Sequence, residues 1–86
     1  MNKTELRLLS YAYENYQKTL DSHCIYRWRN GNDMFFVSEA LESLTEKGYI
    51  SDVPSDIITG NFSPLTPFSF TITAVGIEYM RSQRES

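Results

Sequence analysis

The stretch "ALESLTEKGYI", Ala40 to Ile50, decides the fold, because it has the pattern of a helix end that turns directly into a strand. Its apolar residues continue a stripe that runs through Met34–Lys47, and the members of this stripe are Val37, Ala40, Leu41 and Leu44. Gly48 follows, and a glycine at this point suits the left-handed conformation that ends many helices. Tyr49–Val53 then alternates as a strand does, and Pro54 ends it.

A second strand and a last helix follow downstream. The sequence predicts a strand antiparallel to the first one from three apolar residues that alternate with small polar residues, namely Phe68, Phe70 and Ile72. The two strands are joined by a long loop rich in proline, so we expect an extended hairpin. Thr73 is the predicted N-cap of the last helix. Gly76 in its first turn weakens the helix but lets a neighbouring backbone approach closely.

Upstream, the chain opens with an amphipathic helix. Its predicted buried stripe has alternating spacings of three and four, with the members Leu6, Leu9, Tyr13, Tyr16 and Leu20. Asn2, with Glu5 three residues later, resembles a capping arrangement, so we expect the helix to begin near Asn2.

The segment after the first helix permits two interpretations. Asp21 could cap a short helix that buries Ile25 and Trp28, whereas "CIYRWR", residues 24–29, could equally form a brief extended piece. We favour the short helix. The chain is then expected to turn at Asn30–Asn32, where Gly31 allows a left-handed backbone.

The 86 residues, 41% of them hydrophobic, are enough for one modest domain, which we place at residues 1–82 with a polar tail at 83–86. No apolar run approaches the roughly 20 residues that a membrane helix needs, and the N-terminus lacks the layout of a secretory signal. The sequence therefore predicts a cytoplasmic protein that does not enter a membrane.

His23 and Cys24 are the only histidine and the only cysteine. One cysteine cannot form a disulfide within the chain, and a Cys/His zinc site lacks ligands. A nucleophile and its base also need a third group that orients them, and no sequence cue supports one. We therefore expect no enzymatic activity, metal or cofactor, and no small-molecule ligand is evident.

The predicted order of helix, short helix, helix, two-stranded hairpin and helix resembles a winged helix-turn-helix domain over nearly the whole chain. The specific likeness lies in "ALESLTEKGYI" followed by "FSFTITAVGIEYM". These stretches are similar to the sequence patterns "L..L...G.I" and then "..T..G..Y." of bacterial winged-helix families. Those families include small proteins often carried by prophages. The resemblance implies an α+β fold with three N-terminal helices, a two-stranded antiparallel wing hairpin and a C-terminal helix. It also implies a transcriptional regulator or another DNA-associated protein.

In DNA-binding relatives the third helix enters the major groove and the wing touches phosphates. Carried over by position, the groove-facing residues are Met34, Phe35, Ser38, Glu39, Glu42 and Ser43. Only the serines among these suit a phosphate, and two arginines precede the helix. The DNA-binding candidates are therefore Arg27, Arg29, Met34, Phe35, Ser38 and Ser43. For the two arginines, the alternative is that they flank a buried Trp28 in solvent.

The distribution of charge argues against the usual winged-helix mode of DNA binding, in which the third helix and the wing contact the DNA. The net charge is −3, and no lysine or arginine occurs from Gly48 to Met80, so the wing offers no cation to a phosphate. The third helix instead carries Glu39, Glu42 and Glu46 on its outward side. Such a run usually forms a solvated face, and its functional interpretation is an acidic docking strip.

The alternative function is a protein-interaction module that has kept the fold and does not bind DNA. The wing loop is apolar at Phe62 and Leu65, and Phe35 and Phe36 cannot both point inward on one helix. Tyr11 lies off the stripe of the first helix, where it would show an aromatic edge to a second subunit. The interaction candidates are Tyr11, Glu39, Glu42, Phe62 and Leu65. Because small winged-helix proteins often pair, we expect a protein partner or a homodimer.

Overall fold

The computed structural model describes residues 2–27, 34–59 and 67–85 of the chain, without the side chains at 34, 35, 58, 59, 84 and 85. Within these ranges the chain has an α+β fold of four helices and one three-stranded antiparallel sheet, ordered β1-β3-β2. The elements in chain order are α1 (Lys3–Thr19), β1 (His23–Tyr26), α2 (Met34–Glu46), β2 (Ile50–Ser51), α3 (Ser55–Thr59), β3 (Phe68–Ile72) and α4 (Ala74–Glu85).

The short helix expected after Asp21 is wrong, because this segment forms β1. β1 pairs antiparallel with β3 in a register that places His23 opposite Thr71. Cys24 and Tyr26 point into the core, whereas Ile25, expected to be buried, is 55% exposed. The physical reason is pairing: β1 alternates in step with β3, so every second side chain is buried. The predicted two-stranded wing is therefore part of a three-stranded sheet.

The cap of α1 is confirmed, and its buried stripe is confirmed only in part. The backbone N–H of Glu5 donates to Asn2 Oδ1 at 2.9 Å. The buried residues of the helix are Glu5, Leu8, Leu9, Ala12 and Tyr13. Leu6 is 42% exposed because it lies at the edge of this face. Leu20 is 80% exposed because it takes the left-handed conformation, with φ at 60°, that ends the helix.

The core lies between α1, α2 and the inner face of the sheet. Its fully buried large side chains are Leu8, Leu9, Val37, Leu41, Leu44, Ile50, Phe70 and Ile72. The predicted stripe of α2 is confirmed, since Val37, Ala40, Leu41 and Leu44 are all buried. α1 and α2 pack against each other, which brings the buried Leu9 into the same core.

The junction between α2 and α4 is built as the sequence predicts. Gly48 takes a left-handed conformation with φ at 78°, and the N–H of Tyr49 returns to the carbonyl of Leu44. Thr73 donates its N–H to the Tyr49 carbonyl at 3.0 Å and its hydroxyl to the Gly48 carbonyl at 2.6 Å. The Thr73 hydroxyl also accepts from the N–H of Gly76 at 3.1 Å, which confirms it as the N-cap of α4.

The connection between β2 and β3 departs from a plain hairpin. β2 is only two residues long, because Asp52 takes a left-handed φ of 60° that ends the strand before Pro54. The helix α3 follows and buries Ile57. At the other end of the chain, α4 continues to Glu85. Between β1 and β2, the described residues contain one helix, α2, so the helix-turn-helix stays a prediction.

We expect Leu41→Ala to lower the free energy of unfolding by roughly 2 to 5 kcal/mol, because it leaves a cavity between the two packed helices. Urea denaturation measures the effect. Leu6→Ala is the matched control at an exposed leucine of α1, where we expect a loss within about 0.5 kcal/mol. Equal losses in the two variants would contradict the packing of α2 described above.

Gly76 should not tolerate alanine, although alanine favours helices. A Cβ at this position would overlap the backbone carbonyl oxygen of Tyr49, which cannot move without breaking its bond to Thr73. We expect Gly76→Ala to destabilise the protein by about 1 to 3 kcal/mol in urea denaturation, the range for overpacked sites. Unchanged or increased stability would show that α4 does not approach Tyr49 this closely.

Candidate functional site

The exposed face of α2 is the candidate site, and its composition follows from how the helix is buried. The four apolar residues of its stripe face the core, so the residues between them face solvent. Glu39, Glu42 and Glu46 are spaced by three and four positions and therefore share this face. All three are exposed, and Ser43 beside them is half-buried.

The first turn of α1 completes this face into a groove of about 360 Å³. We call it the acidic groove; it is lined by Asn2, Thr4, Glu5, Phe36, Glu39, Glu42, Ser43 and Glu46. Phe36 contributes an apolar surface and is 59% exposed. The groove therefore combines carboxylates with one aromatic ring.

Negative charge dominates the acidic groove. Four of its eight lining residues are glutamates, and none is a lysine or an arginine. Glu5 is only 7% exposed, and its carboxylate forms an ion pair of 2.7 Å with the ammonium of Lys47, just beyond α2. This bond satisfies the buried carboxylate and ties the start of α1 to the end of α2. Glu39, Glu42 and Glu46 remain exposed to a partner.

The DNA-binding candidates whose side chains the structure describes, Arg27, Ser38 and Ser43, have different surroundings. Ser38 donates its hydroxyl to the Ile57 carbonyl at 2.7 Å, so it holds α3 against α2. Ser43 lies among the glutamates of the acidic groove, where a phosphate would be repelled. Arg27 is exposed directly after β1. Arg29 and the side chains of Met34 and Phe35 lie outside the described residues.

Two of the five interaction candidates meet in the acidic groove, namely Glu39 and Glu42. Tyr11 is used within the chain, since its hydroxyl donates to the Ile25 carbonyl at 2.6 Å and its ring contacts Tyr26 edge-on. Phe62 and Leu65 lie outside the described residues. The sequence interpretation missed the contribution of α1 to the groove, because no local pattern reveals that Glu5 meets Lys47, 42 positions later.

Cations are concentrated elsewhere, on the solvent side of α1. Lys3, Arg7 and Lys18 are all exposed and fall within about 60° of one another around the helix axis. Glu14 is the acidic residue on the same side. The two longest packed helices therefore present faces of opposite charge to solvent.

His23 and Cys24 do not form a catalytic pair. Consecutive strand residues point to opposite sides, so His23 is exposed while Cys24 is buried. Burial raises the pKa of the Cys24 thiol to about 11, which keeps it neutral and unreactive near pH 7. His23 instead lies 3.4 Å from the hydroxyl of Thr71 through Nδ1.

Two further kinds of site are absent from the part of the chain that the structure describes. No three histidine, cysteine or acidic side chains there are placed to hold a metal ion together. None of the described helices has the length and apolar content that a membrane crossing requires. The acidic groove is therefore the feature of the described surface that most needs a functional explanation.

Comparisons with known proteins do not assign the chain to a family. No protein-family model matches it, and neither the curated proteins nor the solved structures contain a significant match. The likeness to bacterial winged-helix proteins consequently rests on the two sequence motifs around Gly48 and Thr73.

Proposed function

We propose that the chain is a cytoplasmic protein-interaction module whose acidic groove binds a lysine- or arginine-rich segment of a protein partner. The observation that carries this proposal is the composition of the groove, which has four glutamates and no cationic lining residue. Lys47 is already paired with Glu5, so the three exposed carboxylates of α2 can attract a cation from outside. A cationic segment would relieve the repulsion among them.

Phe36 adds a reason to favour a peptide segment over a simple ion. Lysine and arginine carry long aliphatic stems that pack on apolar surface while their charged ends stay near carboxylates. An aromatic ring beside carboxylates can pack against the aliphatic stem of such a side chain. It can also attract the charged end through a cation–π interaction. Phe36 lines the groove and is 59% exposed, so part of its ring faces solvent there.

A winged-helix transcriptional regulator or other DNA-associated protein, of prophage origin, is the second candidate. It is supported by the motif resemblance, by the exposed Arg27 and by the three cations on the outer side of α1. It requires a different DNA-facing surface from the usual one, because α2 would place its glutamates against the phosphates. The two candidates therefore predict opposite charges for the partner.

Glu39→Gln with Glu42→Gln should weaken binding of a fluorescein-labelled oligolysine peptide about fivefold in fluorescence anisotropy. The estimate assumes that each exposed ion pair contributes about 0.5 kcal/mol. The matched control is Glu14→Gln with Glu78→Gln, which removes the same charge from exposed positions outside the acidic groove. We expect the control to bind like wild type. An equal loss in both variants would mean that only the net charge matters and that the groove is not the site.

The second candidate is tested with mixed-sequence DNA at low salt, where the proposed interaction module should form no complex. If a complex forms, replacing Arg27 and Arg29 with alanine should weaken it for all sequences alike. The slope of log affinity against log salt should then become shallower by about 2, since each phosphate contact contributes roughly one unit. That result would support the DNA-associated protein and contradict the interaction module.

A further inference from the structure

Glu5 differs from the other three glutamates of the acidic groove, because it is buried while they are exposed. Its backbone N–H donates to the side chain of Asn2, and its carboxylate accepts from the Lys47 ammonium through Oε2 at 2.7 Å. A side chain held in place before a ligand arrives loses little conformational freedom when the ligand binds. Glu5 is therefore the pre-oriented carboxylate of the groove.

The second carboxylate oxygen of Glu5, Oε1, is open to a donor from outside. Within the described residues the Glu5 side chain makes one hydrogen bond, the bond of Oε2 to Lys47. No buried side-chain oxygen or nitrogen atom in these residues lacks a hydrogen-bond partner, so Oε1, which has none, keeps contact with solvent. Because Glu5 lines the acidic groove, Oε1 is an acceptor that a ligand in the groove can use.

We propose that Oε1 of Glu5 binds a lysine ammonium of the partner, and that Lys47 makes the groove select lysine over arginine there. A guanidinium binds a carboxylate best through two parallel N–H···O bonds, which need both oxygens. Lys47 occupies Oε2, and its charge would repel a guanidinium placed against that oxygen. A lysine ammonium is a compact charge that needs one acceptor. This inference rests on the proposed function and narrows its partner to a lysine-rich segment.

The test compares a lysine homopeptide with an arginine homopeptide of equal length, both labelled with fluorescein, in fluorescence anisotropy. The measured quantity is the ratio of their dissociation constants, arginine over lysine. Lys47→Met frees Oε2 for the second bond of a guanidinium, so we expect the ratio to fall about threefold, the order of one exposed charge-assisted bond. Glu5→Gln with Lys47→Met should cancel this fall, because an amide has one acceptor oxygen.

The matched control is Lys18→Met, which removes the same charge from the outer side of α1. Removing one cation there strengthens the attraction of both peptides alike, so the ratio should equal that of wild type. A fall of the same size in Lys18→Met overturns the selection by Lys47. An unchanged ratio in a folded Lys47→Met variant also overturns it.

A charge-conserving variant is used if Lys47→Met loses its cooperative unfolding transition. In Lys47→Arg the new guanidinium can take both oxygens of Glu5, including the one that the partner needs. Binding of the lysine homopeptide should then weaken about threefold relative to Lys18→Arg, the order of one exposed ion pair. Equal binding in these two variants contradicts the proposal.

Glu39→Gln with Glu42→Gln distinguishes failure of this inference from failure of the proposed function. If that variant binds both peptides as wild type does, the groove is not the binding site and both proposals fail. If it binds both peptides more weakly while Lys47→Met leaves the ratio unchanged, the proposed function stands and the selection of lysine at Glu5 is wrong.

Discussion

Thr73 is the residue on which the arrangement of the other elements depends. Its backbone and hydroxyl bind two consecutive carbonyls, those of Gly48 and Tyr49, while the same hydroxyl starts α4 through Gly76. One side chain therefore links the end of α2, the end of β3 and the beginning of α4. The missing Cβ of Gly76 lets α4 approach, and the rings of Tyr49 and Tyr79 then stack with centroids 4.8 Å apart. The angle at which α2 meets this junction determines which face of the helix the core covers.

The acidic groove follows from that choice of face. Once Leu41 and Leu44 are buried against α1, the glutamates between them must lie outside, next to the first turn of α1. The ion pair between Glu5, which lines the groove, and Lys47 connects the same two elements. Packing and charge are thus coupled: the contacts that stabilise the pair of helices also collect the carboxylates into one groove. The cations on the outer side of α1 stay apart from it.

Features fixed by nearby residues were predictable, and features fixed by distant ones were not. The cap at Asn2, the helix end at Gly48 and the cap at Thr73 depend on residues within a few positions, and all three were predicted. For β1 an extended piece was only the less favoured of two alternatives, because four residues carry little pattern and their partners in β3 lie 42 to 48 positions away. The same limit applies to the site. The spacing of Glu39 and Glu42 placed them on one face, but the use of Ser38 and Tyr11 as donors to carbonyls of other elements appears only in three dimensions.

The sheet order has a consequence for how the chain folds during synthesis. β3 lies between β1 and β2, yet it is the last of the three strands to be made. Neither of the other strands has its hydrogen-bonding partner until the ribosome has released residues 68–72. Pairings between distant residues also form slowly, because a long loop must close first. The apolar side chains of α1, β1 and α2 therefore remain accessible to chaperones through most of translation, and the nascent chain is most exposed to misassembly just before β3 emerges.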